Sequence, residues 1–428
     1  MPKPIVCLSE VLRQFAERFR GCFTKRQWKY FVTVLLGLSE CEERRTLSGL
    51  LRVVGERVSL SGLSRFLSRW PWATTAVSQV WLGHFRARLE PLVQDTHQRL
   101  CAARPQRRGR PQRTVVTGYL VFDDSVQVKP QGRKMGGLGQ HYAATERRVV
   151  SGHGLFSGFY VLLGQRCPLA PRLYRQRKVC EQAGEPFRSK IELAVEEIEH
   201  FAPVAGTHTH VLVDSWYHCK QVRRAARQRH WDLSGGLKSN RRMRLIGDDG
   251  GREWLTLAQY AQRLSSSDWQ EVLWPSAQGG QTIYAHLCCT WVRKLGPTLL
   301  LITCHDPSAP PQSRRSWGST DLNLGAQELV NILAIRWEIE TYFEYQKDLL
   351  GSDHYQVMTC QAIVRFWTLT ACFLCFLEEQ RAQQEHPPTC GEVRRTIQEE
   401  QRRNLLGWLE TQYRAGLTAE QISRQLAA

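Results

Sequence analysis

The sequence predicts an α/β protein of two or three domains with a helical N-terminal domain, and three observations support this prediction. The chain has 428 residues, which is too long for one simple core. Its first hundred residues carry apolar side chains at helical spacing. Beyond residue 113, short apolar runs typical of buried strands alternate with helical segments, which favours a mixed sheet flanked by helices.

The charge of the chain indicates a polyanionic partner. The formal net charge is +18, and nucleic acid is the most common polyanion that binds proteins of this kind. Arginine, which outnumbers lysine, suits phosphate and guanine edges because its planar group binds them at two points. The alternative is a basic surface with no specific partner.

The cysteines and the apolar runs indicate a soluble protein without a metal-thiolate site. The 14 cysteines are scattered, and without a secretory leader we expect reduced thiols. Cys372 and Cys375 form a C-x-x-C within an apolar helical run, with no second pair at zinc-ligand spacing, so we expect buried thiols. We see no export signal and no apolar run of membrane-spanning length, so no membrane partner is expected.

Residues 1–102 are predicted to form a helical DNA-binding domain. Segment 46–70 contains two short helices around Gly55, which is typical of a helix-turn-helix. A plain helical hairpin in a bundle explains the segment equally well. The outer face of the second helix would carry Ser61, Ser64, Arg65 and Arg69.

A basic linker at residues 103–113 is predicted to lie along a phosphate backbone or to act as a solvated tether. The first part of a catalytic core is predicted at 114–240, a β-rich insertion at 241–320, the second part of the core at 321–380 and a basic helical region at 381–428. Within these domains we predict strands at 114–125, 207–213, 231–240, 282–293 and 298–304, one or two strands at 147–164, helices at 189–201 and after Asp214, and a loop at 308–319.

Three aspartates follow predicted strands. Asp123 and Asp124 follow one apolar run and Asp214 follows another, which places them at the strand ends where ligands usually bind. Asp214 could instead cap the helix after it. Carboxylates at the ends of neighbouring strands in a basic protein predict a binding site for Mg²⁺ or Mn²⁺, since both ions prefer oxygen ligands.

A later helix, at 334–351, supplies a third carboxylate. Arg336, Glu340 and Lys347 lie near one line along it at 3.6 residues per turn. These residues could be simple surface ion pairs. The neighbouring apolar stripe must lie on a core, however, so Glu340 is expected at the rim of a packed face. We therefore predict Glu340 as a metal ligand, with Arg336 and Lys347 binding phosphates, as two-metal phosphodiester chemistry requires.

At these residues the sequence resembles the DDE transposases of bacterial insertion sequences, whose late signature is Tyr-x2-Arg-x3-Glu-x6-Lys. Arg336, Glu340 and Lys347 match its last three positions, whereas Leu333 stands at the tyrosine position. The resemblance implies that Asp123, Asp214 and Glu340 are catalytic. It leaves Asp124 open as the metal ligand beside Asp123.

The resemblance also implies an RNase H-like core and two Mg²⁺ ions, for which Mn²⁺ can substitute. The implied partners are double-stranded DNA, both terminal repeats and target, and a second copy of the chain in a homodimeric active complex. The implied location is the bacterial cytoplasm, at the nucleoid. In relatives the insertion helps to form a DNA hairpin by holding an extruded base on an aromatic side chain. The candidates for that role are Trp254, Trp269, Trp274 and Trp317.

Two further basic groups are predicted to bind DNA. Lys129, Arg133 and Lys134 lie in a glycine-rich loop after the first aspartates, and Lys220, Arg223 and Arg224 lie on the helix after Asp214. The functional alternatives are a catalytically inactive, transposase-derived DNA-binding protein and a metal-dependent nuclease without strand transfer.

Overall fold

The computed structural model describes residues 3–55, 58–103, 115–143, 146–246, 252–275 and 279–427. Its α-helices are α1 (Glu10–Glu17), α2 (Lys25–Glu40), α3 (Leu47–Arg52), α4 (Leu60–Ser68), α5 (Thr74–Ala102), α6 (Arg177–Gln182), α7 (Lys190–His200), α8 (Lys220–Gln228), α9 (Leu257–Arg263), α10 (Ala326–Glu344), α11 (Cys360–Arg381), α12 (Cys390–Arg414) and α13 (Ala419–Ala427). A π-helical turn, Tyr345–Leu349, continues α10. The predicted basic linker lies outside the described residues except for Ala103.

The strands of the described residues form one mixed sheet. They are β1 (Thr117–Val128), β2 (Gly139–Ala143), β3 (Arg148–Leu162), β4 (Gln165–Pro168), β5 (Arg172–Tyr174), β6 (His208–Val213), β7 (Asp232–Leu237), β8 (Arg242–Ile246), β9 (Arg252–Thr256), β10 (Gln270–Trp274), β11 (Gln281–Val292), β12 (Gly296–Cys304) and β13 (Arg315–Ser319). The main path runs β2-β3-β1-β6-β7-β13-β12-β11-β8-β9, with β4 and β5 on β3 and β10 on β11. The pairs β1–β6 and β6–β7 are parallel, and the other pairs are antiparallel.

The predicted fold class is confirmed. Helices stand at both ends of the chain, a mixed sheet occupies its centre, and strands β8 to β13 precede α10 as the predicted β-rich insertion. This architecture is consistent with an RNase H-like core. Helix α10 crosses β1, β3, β6 and β7 on one face of the sheet, while α7 and α8 pack together on the other.

Helix α11 connects the N-terminal helices to the sheet. It packs against α2, α4, α5 and β4, and Arg365 on it donates to the carbonyl oxygen of Leu67 at 3.0 Å. It is long and apolar enough to cross a membrane, but 83% of its apolar window is buried inside the protein, as in the core helix of a soluble protein. Cys372 and Cys375 lie within it as buried free thiols, as predicted.

Two local predictions differ from the structure. Strand β1 does not end at the aspartates but continues to Val128, because β3 pairs with it as far as Gly152. The predicted loop at 308–319 contains β13, which forms by pairing with β7 and β12 rather than from its own sequence pattern. Segment 147–164 forms one strand, β3, with a tight turn after it, which agrees with the prediction of one or two strands there.

Candidate catalytic site

The sheet places Asp123 and Asp214 at the same edge. The parallel register of β1 and β6 has Val121 opposite Leu212 as its last pair. Asp123 follows two residues later in β1, and Asp214 directly follows the last residue of β6. Ligands of open α/β sheets bind at this carboxyl end of the parallel strands, and both carboxylates lie there, although β1 itself continues beyond Asp123 as the antiparallel partner of β3.

Backbone amides orient one oxygen of each carboxylate. Oδ1 of Asp123 accepts from the Asp124 amide at 2.8 Å, and Oδ1 of Asp214 accepts from the amides of Trp216 at 2.9 Å and Tyr217 at 3.0 Å. Neither Oδ2 atom has a hydrogen-bond partner among the described residues. Each aspartate therefore keeps one fixed oxygen and one that is available to a ligand.

The Asp214 carboxylate lies close enough to Asp123 to raise the proton affinity of Asp123. Burial, followed by the charges of Asp214 and Asp124, raises the pKa of Asp123 to about 7. Burial also raises the pKa of Asp214, because its effect exceeds that of the two amide hydrogen bonds, which lower the pKa. The Arg336 guanidinium of α10 partly offsets both shifts. Two like charges held together in this way are the donor set that a divalent cation neutralises.

The side chains of Asp123 and Asp124 point to opposite faces of the sheet, as neighbours in a strand do. Asp123 lies opposite Ser157 of β3, whose hydroxyl hydrogen-bonds the Tyr342 hydroxyl of α10 at 2.9 Å. Asp124 faces the other way and forms an ion pair with Lys190 of α7. Asp123 thus shares the α10 face with Arg336.

Glu340 is exposed on α10 and does not join the two aspartates in this conformation. Within the described ranges, no group of three or more His, Cys, Asp or Glu is placed to hold a metal ion. Glu338, two residues before Glu340 on α10, forms an ion pair with Arg166 at 2.6 Å. The helix therefore brings Arg336 to the carboxylate pair but leaves Glu340 outside it.

The π turn after α10 was not predicted. It changes the helical register beyond Glu344, so a constant 3.6-residue period no longer relates Lys347 to Glu340. Lys347 is half-buried, which lowers its pKa, and it lies near the carboxylates of Asp353 and Asp348. No sequence pattern marks such a turn, because it depends on how the helix end packs.

The loop after β1 contains one anchored lysine and two exposed cations. Lys129 is buried, donates to the carbonyl oxygens of Asp353 and Tyr355, and lies 3.8 Å from the centroid of the Tyr355 ring. Arg133 and Lys134 are exposed. They line a cleft of about 680 Å³ together with Arg44, Lys129, Asp353 and Gln356. Lys129 therefore fixes the loop, and Arg133 and Lys134 are free to contact a ligand.

Helix α8 likewise carries one buried cation that anchors it and two exposed cations. Arg223 is buried and donates to Thr298 Oγ1 and the Pro297 carbonyl oxygen, both at 2.8 Å, and burial lowers its pKa to about 10. Lys220 and Arg224 are exposed. They line a cleft of about 780 Å³ whose other cations include Arg227 and Lys294. Lys294 was not predicted as a site residue, because only the fold brings the β11–β12 turn to α8.

Two of the four candidate tryptophans share a cavity near α10. Trp274 and Trp317 have ring centroids 6.3 Å apart and line a cavity of about 250 Å³. Trp337, which directly follows Arg336, lines the same cavity and was not predicted. Trp269 lies under Arg314, at 5.1 Å, and Trp254 is partly exposed on β9.

Two family models match the chain. One, described as DDE superfamily endonuclease, matches residues 18–249, which is more than half of the chain. The other, described as transposase DDE domain, matches residues 188–376. The first match covers Asp123 and Asp214, and the second covers Asp214 and Glu340. No curated protein matches the chain.

Proposed function

The chain belongs to the DDE superfamily of endonucleases and is a transposase-type enzyme of that family, and from this premise we propose that it transposes an insertion sequence. It binds the ends of its element, cuts them by hydrolysis, and joins the freed 3′-hydroxyl groups to target DNA. The observation that carries this proposal is the pairing of Asp123 and Asp214 at one sheet edge beside Arg336.

The donor set fits divalent metal ions. Asp123 and Asp214 each offer a carboxylate oxygen that has no hydrogen-bond partner among the described residues, and hard oxygen donors suit Mg²⁺ and Mn²⁺. Glu340 is proposed as the third ligand, joining the pair when DNA binds. Two bound ions of this kind supply activation of the attacking oxygen and neutralisation of charge on the leaving oxygen.

The residues of the chain position the substrate. The amides of Trp216 and Tyr217 hold the Asp214 carboxylate in one orientation. Arg336 is a buried residue of α10 near this carboxylate, and its guanidinium is proposed to bind the oxygens of the phosphate that is cut. Lys347 is proposed to bind a flanking phosphate.

The exposed cations are proposed to hold the DNA duplex on either side of the cut. Arg133 and Lys134 line one cleft, and Lys220 and Arg224 line the other. Lys129 and Arg223 contribute by fixing the segments that carry these cations. Strand transfer joins two ends together, so the active complex is proposed to be a homodimer, acting at the nucleoid in the cytoplasm.

The cavity that Trp274, Trp317 and Trp337 line is proposed to hold an extruded base if excision passes through a hairpin. Aromatic side chains hold unstacked bases in this way. Trp337 follows the phosphate-binding Arg336 directly, so a base in this cavity would lie beside the cut phosphate.

The decisive experiment compares Glu340→Gln and Asp214→Asn with the wild type on DNA carrying the element ends. Each substitution removes a metal ligand but keeps the side-chain shape, so cleavage should fall by about 10²–10³-fold, roughly the effect of losing one electrostatic group of the catalytic machinery. DNA affinity in a gel-shift assay should stay near wild type. Glu344→Gln, an exposed glutamate on the same helix, is the matched control and should cut normally.

The outcomes also separate the alternatives. Normal cutting by Glu340→Gln would show that Glu340 is not a ligand. Cleavage without joined products would support a nuclease without strand transfer. Wild-type protein that binds the ends but does not cut them in Mg²⁺ or Mn²⁺ would support a catalytically inactive DNA-binding protein.

A further inference from the structure

A partly buried polar network lies behind the catalytic edge, on the face of the sheet opposite Asp123. Asp124 is its centre. The Lys190 ammonium, in the first turn of α7, pairs with Oδ2 of Asp124, and the Tyr217 hydroxyl donates to Oδ1 at 2.7 Å. Both oxygens of Asp124 are therefore occupied by protein groups, in contrast with Asp123 and Asp214.

Tyr217 connects this network to the catalytic pair. Its side chain is fully buried and lies against the rings of Phe122 and Phe156, at centroid distances of 5.8 and 6.0 Å. Its backbone amide donates to Oδ1 of Asp214 at 3.0 Å. One residue thus hydrogen-bonds Asp124 with its side chain and Asp214 with its main chain.

We propose that Asp124 is a positioning residue: held by Lys190, it fixes Tyr217, and Tyr217 fixes the turn that orients the Asp214 carboxylate. This inference rests on the proposed function, because it assumes that Asp214 acts in catalysis. It assigns different roles to the two adjacent aspartates, with Asp123 binding metal and Asp124 holding the neighbouring turn.

The chemistry of the network supports this role. Burial and the negative charge of Asp124 raise the pKa of Tyr217 above its ordinary value, so the phenol keeps its proton and remains a donor. Lys190 compensates the charge of the partly buried Asp124 carboxylate. A hydrogen bond to a charged acceptor is short and directional, so it restrains the Tyr217 ring and, through the Cα atom, the amide at Asp214.

The test is a double-substitution cycle of Asp124→Asn, Tyr217→Phe and the combined variant. Asp124→Asn replaces the charged acceptor with a neutral amide and loses the Lys190 ion pair, and Tyr217→Phe removes the hydroxyl donor. Each single variant should therefore lower the kcat of cleavage by about 10-fold and raise the Mg²⁺ concentration for half-maximal activity, while KM for DNA stays unchanged. The combined variant should lose about as much as either single variant, because the groups act as one unit.

A second readout does not depend on activity. Calorimetric titration of Mn²⁺ into each metal-free protein should show affinity lowered several-fold by Asp124→Asn and by Tyr217→Phe, and lost in Asp214→Asn. Lys190→Arg keeps the cation and should preserve near-normal affinity, whereas Lys190→Met should resemble Asp124→Asn. Thermal unfolding identifies variants that do not fold. If Asp124→Asn or Tyr217→Phe fails to fold, the Mn²⁺ affinities of Lys190→Arg and Lys190→Met are compared instead.

Two results would overturn the inference. One is an Asp124→Asn protein as inactive and as poor in Mn²⁺ binding as Asp214→Asn, with Tyr217→Phe unaffected, since Asp124 would then be a ligand. The other is a combined variant whose loss of activity equals the product of the two single losses, since Asp124 and Tyr217 would then act independently. The proposed function itself fails in a different way, namely if Asp214→Asn cuts as well as the wild type.

Discussion

Asp123 and Asp124 are neighbours in the sequence but have different surroundings. Strand alternation sends Asp123 towards Arg336 and Asp214, and Asp124 towards Lys190 and Tyr217. Their contacts follow from this: Asp123 keeps a free oxygen and a raised pKa, whereas both oxygens of Asp124 are bonded. Asp124 has a cationic partner in Lys190, whereas Arg336 offsets the raised proton affinity of Asp123 only in part.

At the same scale, Glu197 of α7 should make stability depend on pH. Burial raises the pKa of its carboxyl group from 4.5 to about 7, although Arg172 and His200 lower it in part. Because the folded state favours the protonated form, Glu197 costs stability as pH rises from about 4.5, and the full cost is reached above about 7. Glu197→Gln should therefore raise the melting temperature at pH 8 and change it little at pH 4.5, measured by thermal unfolding.

Glu199→Gln is the control for this prediction. Glu199 is exposed on the same helix, so its substitution should leave the melting temperature nearly unchanged at both pH values. A stabilisation by Glu197→Gln that is equal at pH 4.5 and pH 8 would contradict the ionisation argument.

Individual residues show what sequence reasoning can reach. Asp123 and Asp214 were predicted together because apolar strands that precede carboxylates are visible in sequence, and parallel strands end at one edge. The proposal of Asp123 rather than Asp124 as the metal ligand depends on Lys190, which comes from a distant helix. Trp337 and Lys294 were missed for the same reason, since their neighbours are brought together only by the sheet.

At the scale of elements, glycines allow the two strands that carry the aspartates to lie close to their neighbours. A β-carbon at Gly158 of β3 would overlap the Val121 carbonyl oxygen of β1, just before Asp123. A β-carbon at Gly235 of β7 would overlap the Val213 carbonyl oxygen of β6, just before Asp214. In both cases the obstacle is backbone, which cannot turn aside as a side chain can.

Gly158→Ala and Gly235→Ala should therefore each destabilise the protein by about 1–3 kcal/mol, the usual cost of overpacking a core, and reduce cleavage by moving an aspartate. Urea unfolding and a cleavage assay measure the two effects. Gly318→Ala in β13 is the control, because its β-carbon would meet only side-chain atoms of Leu237 and Thr298. An equal loss in all three variants would mean that the aspartate positions are not specifically sensitive.

Element types were predicted more reliably than element ends. Strands β6, β7, β11 and β12 were recognisable from apolar runs, and α7 from its period. The end of β1, the strand β13 and the π turn at Tyr345–Leu349 depend on partners far away in the sequence. The local sequence pattern therefore does not predict these features.

At the scale of the whole molecule, α11 holds the N-terminal helices and the sheet in one core. Its buried Arg365 donates to backbone carbonyl oxygens of Leu67 and Trp72, in the N-terminal region. A helix-turn-helix role for α3 and α4 stays a prediction. The inner face of α4, with Leu63, Phe66 and Leu67, is buried, so only its outer face, which includes Arg65 and Arg69, could contact DNA.

The net charge of +18 leads to a final prediction about DNA binding. Each phosphate contact adds about 0.9 to the slope of log affinity against log salt, so affinity should fall steeply between 50 and 200 mM salt. The variant Lys220→Gln/Arg224→Gln removes two exposed cations of the α8 cleft and should lower that slope by about 1.8, two contacts' worth. Fluorescence anisotropy on one DNA duplex measures the slope.

The control Arg403→Gln/Arg414→Gln removes the same charge from exposed positions of α12 and should change the slope little. Equal changes in both variants would mean that DNA responds to net charge alone and not to the cleft.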